Sequence, residues 1–159
     1  MVIFLGRFIN FIVITKTMAL NYATPVIRNF GQDYKGVDYF LTQQDEWSTK
    51  HTGKFVLSAL ENTIQVWALG NAYTHGQVCG KCKVEGLILG GGDISVNDER
   101  DSIGVSGRSM DFRSLPNRVL EEYFSSFGYK IKAQMFAEGN TKGIQPSTRE
   151  WFKQHGIDV

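Results

Sequence analysis

The chain has 159 residues, of which 42% are hydrophobic and 21% are charged. This is the composition of an ordinary globular domain, and it excludes a chain kept disordered by low apolar content and high charge. Seventeen basic and sixteen acidic side chains give a net charge of +1, which excludes a whole-molecule field that attracts nucleic acid or an anionic membrane.

The N-terminal segment is apolar and is followed by a second methionine at position 18. Its hydrophobic run over residues 8–14 is too short to span a bilayer, so we expect no membrane span. We interpret residues 1–17 as an N-terminal extension, namely a first strand, a leader or an upstream extension of the reading frame. Residues 18–159 are expected to form a single α+β domain. The expected location is cytoplasmic, or secreted if residues 1–23 act as a signal peptide.

The middle of the chain has the pattern of short strands separated by turns. A short helix is expected over residues 36–52, and FVLSAL from Phe55 and TIQVWALG from Thr63 predict two strands joined by a tight turn. In the second strand, Ile64, Val66 and Ala68 should share one face. The later expectations are a strand over residues 82–89, a turn at the three glycines 90–92, and short strands at 94–96, 103–105 and 109–112.

The segment after residue 114 predicts a helix followed by a strand. Apolar residues recur at helical spacing over residues 115–127, with Ser114 as the expected N-terminal cap and Gly128 as the stop. Directly afterwards, apolar residues alternate with lysine and glutamine over residues 129–135. This alternation predicts a strand with one buried and one solvent-facing side.

The C-terminus predicts a second, shorter helix. Ser147 and Glu150 have the spacing of a capping box, and Trp151 and Phe152 should dock the helix on the sheet. Together these patterns predict an α+β fold. A mainly antiparallel β-sheet or partly open small barrel packs against one long amphipathic helix and a short C-terminal helix.

A candidate metal or thiol site is formed by His75, Cys79 and Cys82. An imidazole and two thiolates at this spacing can bind zinc, although the fourth ligand would have to come from His51 or Asp93. The cysteine pair also has redox spacing, but it is expected to precede a strand and therefore lacks the helix dipole that activates such thiols. We expect no cofactor. A thiol- or zinc-dependent enzyme at these residues is an alternative hypothesis. A hydrolytic site with His51 or His75 as the base also stays open.

A second alternative is nucleic-acid binding through the basic stretch between residues 108 and 132. Basic groups placed near aromatic rings suit contact with a nucleic-acid backbone and stacking on its bases. The residues that carry this hypothesis are Arg108, Arg113, Arg118, Lys130 and Lys132.

The leading hypothesis is a non-catalytic binding module for a small apolar ligand or a protein partner. The chain has neither a G-x-S-x-G nor an H-E-x-x-H motif, which argues against the common hydrolases that use them. A curved sheet leaves a concave side for a ligand, and we expect Trp47, Trp67 and Tyr73 to line it. An exposed strand or aromatic patch would also allow a homodimer.

Overall fold

The computed structural model describes residues 20–30, 50–97, 101–135 and 143–159. The predicted extension over residues 1–17, Trp47 and most of the helix expected over residues 36–52 lie outside this part. Within it, the strands are β1 (Asn21–Tyr22), β2 (Val26–Arg28), β3 (Lys50–Leu60), β4 (Thr63–Gly70), β5 (Leu87–Asn97), β6 (Ser102–Gly107) and β7 (Lys130–Met135). The helices are α1 (His75–Cys82), α2 (Asn117–Ser125) and α3 (Pro146–Gln154).

The described strands form one curled, half-barrel sheet in the order β1-β4-β3-β5-β6-β7, with β2 also pairing with β4. The three central pairings are antiparallel, as expected. At the two sides, β1 and β2 run parallel to β4, and β7 runs parallel to β6. The sheet is therefore mixed, and the prediction of a mainly antiparallel sheet holds only in part. The parallel β6–β7 pair arises because α2 forms the connection between them.

One face of the sheet carries the main hydrophobic core, which α2 and α3 cover. Tyr123 and Phe124 from α2 and Phe152 from α3 are fully buried against the sheet. The second face is covered near β3 and β4 by α1, whose Val78 and Cys82 pack against them. The predicted long helix is α2, which has nine residues, and the predicted C-terminal helix is α3, also of nine residues. The eight-residue α1 was not predicted.

The helix ends differ from those expected. Ser114 does not cap α2, because its hydroxyl donates to the Gly107 carbonyl and Pro116 is the N-cap residue. The predicted capping box of α3 is also wrong, since that helix begins at Pro146 without a side-chain cap. Gly128 does follow α2 in the left-handed conformation, with φ of 83°.

The glycines 90–92 lie inside β5, where the sequence predicted a turn. A Cβ atom at Gly90 would lie 2.7 Å from Cγ of Leu115, and one at Gly92 would lie 2.9 Å from Cε of Met135. A Cβ atom at Gly91 would lie 3.0 Å from Cδ2 of His75 on the other face. These glycines therefore admit close neighbours on both faces of a continuous strand.

The prediction of a strand over residues 82–89 is also wrong at its start, because Cys82 is the last residue of α1 and β5 begins at Leu87. Cys79 lies in α1 as well. This helix opens with a capping box between Thr74 and Gln77 and ends at Lys83, with φ of 56°. Residues 109–112, expected as a strand, form a turn closed by a bridge between Ser109 and Arg113.

None of the helices in the described ranges is long and apolar enough to cross a membrane.

Candidate groove on the second sheet face

An open groove of about 890 Å³ lies on the second face of the sheet, beside α1. Its floor is formed by strands that pair side by side, so residues in register form rows across it. One row runs from Thr52 through Ser95 and Gly104 to Lys132. A second row runs through Lys54, Asp93, Ser106 and Gln134, and a third through Asn97, Ser102 and Lys130.

The polar character of this face follows from strand alternation. In β6, the apolar Ile103 and Val105 are buried in the main core, so Ser102, Gly104 and Ser106 point to the groove. In β7 the same alternation directs Lys130, Lys132 and Gln134 to the groove. The two middle strands thus contribute small polar residues, and the outer strands contribute long charged ones.

The dimensions of the groove follow from the strand order. Neighbouring strands lie about 4.8 Å apart, so β3 and β7 are separated by about 14 Å along the curled sheet. The groove is therefore wide enough for an extended peptide or a small molecule to lie between Lys54 and Lys132.

Tyr73 stands at the rim of this groove, on the side nearest β3 and β4. It follows Asn71, whose backbone N–H donates to the Thr52 carbonyl at 3.0 Å, and its side chain is 78% exposed. The ring is available to a ligand without any rearrangement of the core.

Trp67 lies elsewhere, in a smaller hollow of about 330 Å³ that is also lined by Ser58, Glu61 and Glu85. Its indole N–H donates to the Ser58 hydroxyl at 2.8 Å. The structure therefore places Trp67 and Tyr73 in separate surface depressions, and Trp47 lies outside the described residues.

An ion pair links two opposite residues on the groove floor. The ammonium of Lys54 donates to Oδ1 of Asp93 at 2.5 Å, and the side chains are 26% and 53% exposed. Lys54, Lys130 and Lys132 thus face one carboxylate among the described lining residues. The groove is locally basic although the chain as a whole is nearly neutral.

The basic residues predicted to bind nucleic acid are divided between the two faces of the sheet. Lys130 and Lys132 line the groove. Arg118 lies on α2, across the sheet, where its guanidinium donates to the Asp158 carbonyl at 2.9 Å. Arg108 and Arg113 are exposed beside the turn over residues 109–112. The five groups do not form one continuous basic surface.

His75 is the buried histidine at the first position of α1, and it is 7% exposed. Its Nε2 lies 2.9 Å from the Gly92 carbonyl. Because a carbonyl only accepts, Nε2 carries the proton and Nδ1 keeps its lone pair. Burial lowers the pKa of His75, assisted by the positive charge of Lys54 and opposed by the hydrogen bond to Gly92 and by Asp93 and Asp111. The imidazole is therefore neutral at pH 7 and can accept a proton.

The two cysteines lack the environment of a reactive or metal-binding pair. Burial raises the pKa of both the Cys79 and the Cys82 thiols, which favours the protonated form over the thiolate that binds zinc. Both lie towards the C-terminal end of α1, where the helix dipole disfavours an anion. Across the described ranges, no three His, Cys, Asp or Glu residues are grouped so that they could hold a metal ion.

No protein-family model and no curated protein sequence matches this chain. The residues that the sequence interpretation missed are Lys54 and the small polar residues of the groove floor. Lys54 directly precedes the predicted strand from Phe55, and Ser102, Gly104 and Ser106 alternate with Ile103 and Val105. The period of two was the available signal, but it did not show which strands lie side by side.

Proposed function

We propose that this chain is a non-catalytic binding module that holds the acidic segment of a protein partner in the groove. The observation that carries this proposal is the placement of Lys130 and Lys132 along one wall, facing a floor of small polar residues. Lysine ammonium groups beside small polar side chains suit a negatively charged ligand. The lysines of the β7 wall favour such a ligand over the small apolar one expected from the sequence.

The absence of rings among the described residues of the floor favours a peptide over nucleic acid. Binding of single strands relies on successive bases stacking on aromatic side chains. Among the described lining residues the one aromatic side chain is Tyr73, which stands at the rim on the side away from β7. The lysines of the groove can pair with the carboxylates of an acidic peptide, and this binding needs no aromatic side chains on which bases stack.

The proposal is tested by reversing the charges of the β7 wall. We expect Lys130→Glu combined with Lys132→Glu to weaken binding of a short polyglutamate peptide by about tenfold or more at low salt, because two attractive contacts become repulsive. Isothermal titration calorimetry measures the dissociation constant. The probes are polyglutamate, an oligothymidylate and a heparin oligosaccharide, each measured at two salt concentrations.

The matched control is Lys83→Glu combined with Lys153→Glu. Both lysines are exposed, and neither is among the residues that line the groove. This control changes the net charge by the same amount, so it should weaken binding far less. Equal losses in the two double variants would show a general charge effect and contradict the proposed site. Tighter binding of oligothymidylate than of polyglutamate would favour the nucleic-acid alternative.

A second candidate function is hydrolysis with His75 as general base. It is favoured by the free lone pair on Nδ1 and by a lowered pKa, since the neutral imidazole is the form in which histidine acts as a general base. The charges of Lys54, Asp93 and Asp111 act on this buried ring, and Lys54 and Asp93 also line the groove.

The variant His75→Gln tests this candidate because glutamine keeps an N–H donor for the Gly92 carbonyl and removes the basic Nδ1. If His75 is a general base, hydrolysis of chromogenic ester substrates should fall by about 10²- to 10⁴-fold. Equal rates for the native chain and a correctly folded His75→Gln variant would exclude His75 as the base for these substrates.

A further inference from the structure

We propose that Asp93 is a specificity-determining residue of the groove, which competes with the ligand for Lys54 and confines anionic groups to the β7 wall. This inference rests on the proposed function, because it concerns how the same groove selects negatively charged ligands.

The position of Asp93 is fixed by strand register. It lies directly opposite Lys54 in the antiparallel β3–β5 pair, where facing side chains have Cβ atoms about 4.5–5.5 Å apart. The ammonium and the carboxylate therefore meet at 2.5 Å through the ordinary geometry of the sheet. The pair is part of the groove floor.

A second feature keeps the carboxylate over the sheet. Gly107 ends β6 with φ of 72°, and a Cβ atom there would lie 3.0 Å from Oδ2 of Asp93. Glycine supplies both the left-handed conformation and the space that the carboxylate occupies. Asp93 thus lies between Lys54 on one side and the bare backbone of Gly107 on the other.

The consequence for a ligand is an asymmetric groove. An anion that approaches Lys54 meets an ammonium already neutralised, and it is repelled by Asp93 unless it displaces the carboxylate. An anion at Lys130 or Lys132 meets no such competitor among the described lining residues. Asp93 therefore weakens the binding of ligands that carry negative charge across the whole width of the groove.

The variant Asp93→Asn tests this inference with polyglutamate as the probe. We expect the dissociation constant to fall by about threefold to tenfold at low salt, because Lys54 is released and a repulsive charge is removed. Asp158→Asn is the matched control, since it removes one exposed negative charge outside the groove and should leave affinity nearly unchanged. Asp93→Ser provides a second variant, and thermal unfolding verifies that both remain folded.

A double-mutant cycle with Lys54→Met identifies the route of the effect. If Asp93 acts by competing for Lys54, Asp93→Asn should increase affinity much less in the Lys54→Met background. An equal gain in affinity in both backgrounds would show that Asp93 acts only through electrostatic repulsion of the ligand. That result would overturn the proposal that Asp93 competes with the ligand for Lys54.

The two proposals fail in distinguishable ways. If the native chain binds polyglutamate and folded Asp93→Asn binds it equally, the role of Asp93 is wrong and the groove stands as the binding site. If neither the native chain nor the Asp93 variants bind any of the anionic probes, the proposed function is wrong and this inference falls with it.

Discussion

The imidazole of His75 makes the stability of the fold depend on pH. Burial lowers its pKa in the folded chain, whereas an unfolded histidine titrates near about 6.5. Between these two values the unfolded chain binds more protons than the folded chain, so acid favours unfolding. The contribution of His75 to the free energy of unfolding is fully present above about pH 6.5. It is lost as the pH falls towards the pKa of His75 in the folded chain and below it.

We therefore expect the free energy of unfolding to decrease as the pH is lowered below about 6.5, and this decrease to be smaller in His75→Gln. Urea denaturation at a series of pH values measures it. His155→Gln changes the histidine that directly follows α3 and stacks on Trp151, and it should retain the contribution of His75. If His75→Gln shows the same slope as the native chain, His75 is not the responsible group.

At the scale of single elements, the segments with strong local periodicity were predictable. In β4 the predicted face of Ile64, Val66 and Ala68 is confirmed, because all three are buried in the main core. The strand over residues 130–135 alternates as expected, and α2 lies within the predicted range. In these segments the residues that must be buried occur at the repeat of the backbone itself, so no knowledge of distant neighbours is needed.

The predictions that were wrong concern elements whose structure depends on contacts with residues distant in the sequence. The glycines of β5 resembled a turn because glycine permits one, but Leu115 and His75 approach the strand so closely that a side chain has no room. The same limit applies to α1, where Cys79 and Cys82 occur in a polar, glycine-containing segment with little helical periodicity. Sequence showed which residues were small, and only the packed structure shows what lies against them.

For the groove, the direction of the side chains could be predicted from local alternation, but the pairing of the strands could not. The residues that face it could be read from alternation in β6 and β7, and Lys130 and Lys132 were identified in this way as a solvent-facing pair. Their juxtaposition with Asp93 and Lys54 requires the strand order and register. The parallel β6–β7 pair had a usable signal, since a helix between two strands is typical of a parallel connection.

At the scale of the whole molecule, Tyr123 joins three distant parts of the chain. Its hydroxyl donates to the Ala23 carbonyl at 2.5 Å and accepts from the Val66 backbone N–H at 3.1 Å. This contact lies where β1 ends and β2 has not begun, so that β4 has no strand neighbour at Val66 on that side. The side chain of α2 thereby completes the hydrogen bonding at the sheet edge.

Tyr123→Phe removes this hydroxyl and keeps the ring contacts with Phe124 and Phe127. It leaves a buried N–H and a carbonyl without their partner, so we expect the free energy of unfolding to fall by about 1–3 kcal/mol. Tyr129→Phe is the control, because Tyr129 also packs against Phe124, yet its hydroxyl has no hydrogen bond to a described residue. Hydrogen exchange should show faster exchange at the Val66 amide in Tyr123→Phe alone. Equal stability of the two variants would show that water replaces the hydroxyl at no cost, and that the N-terminal strands are held by their parallel pairing with β4.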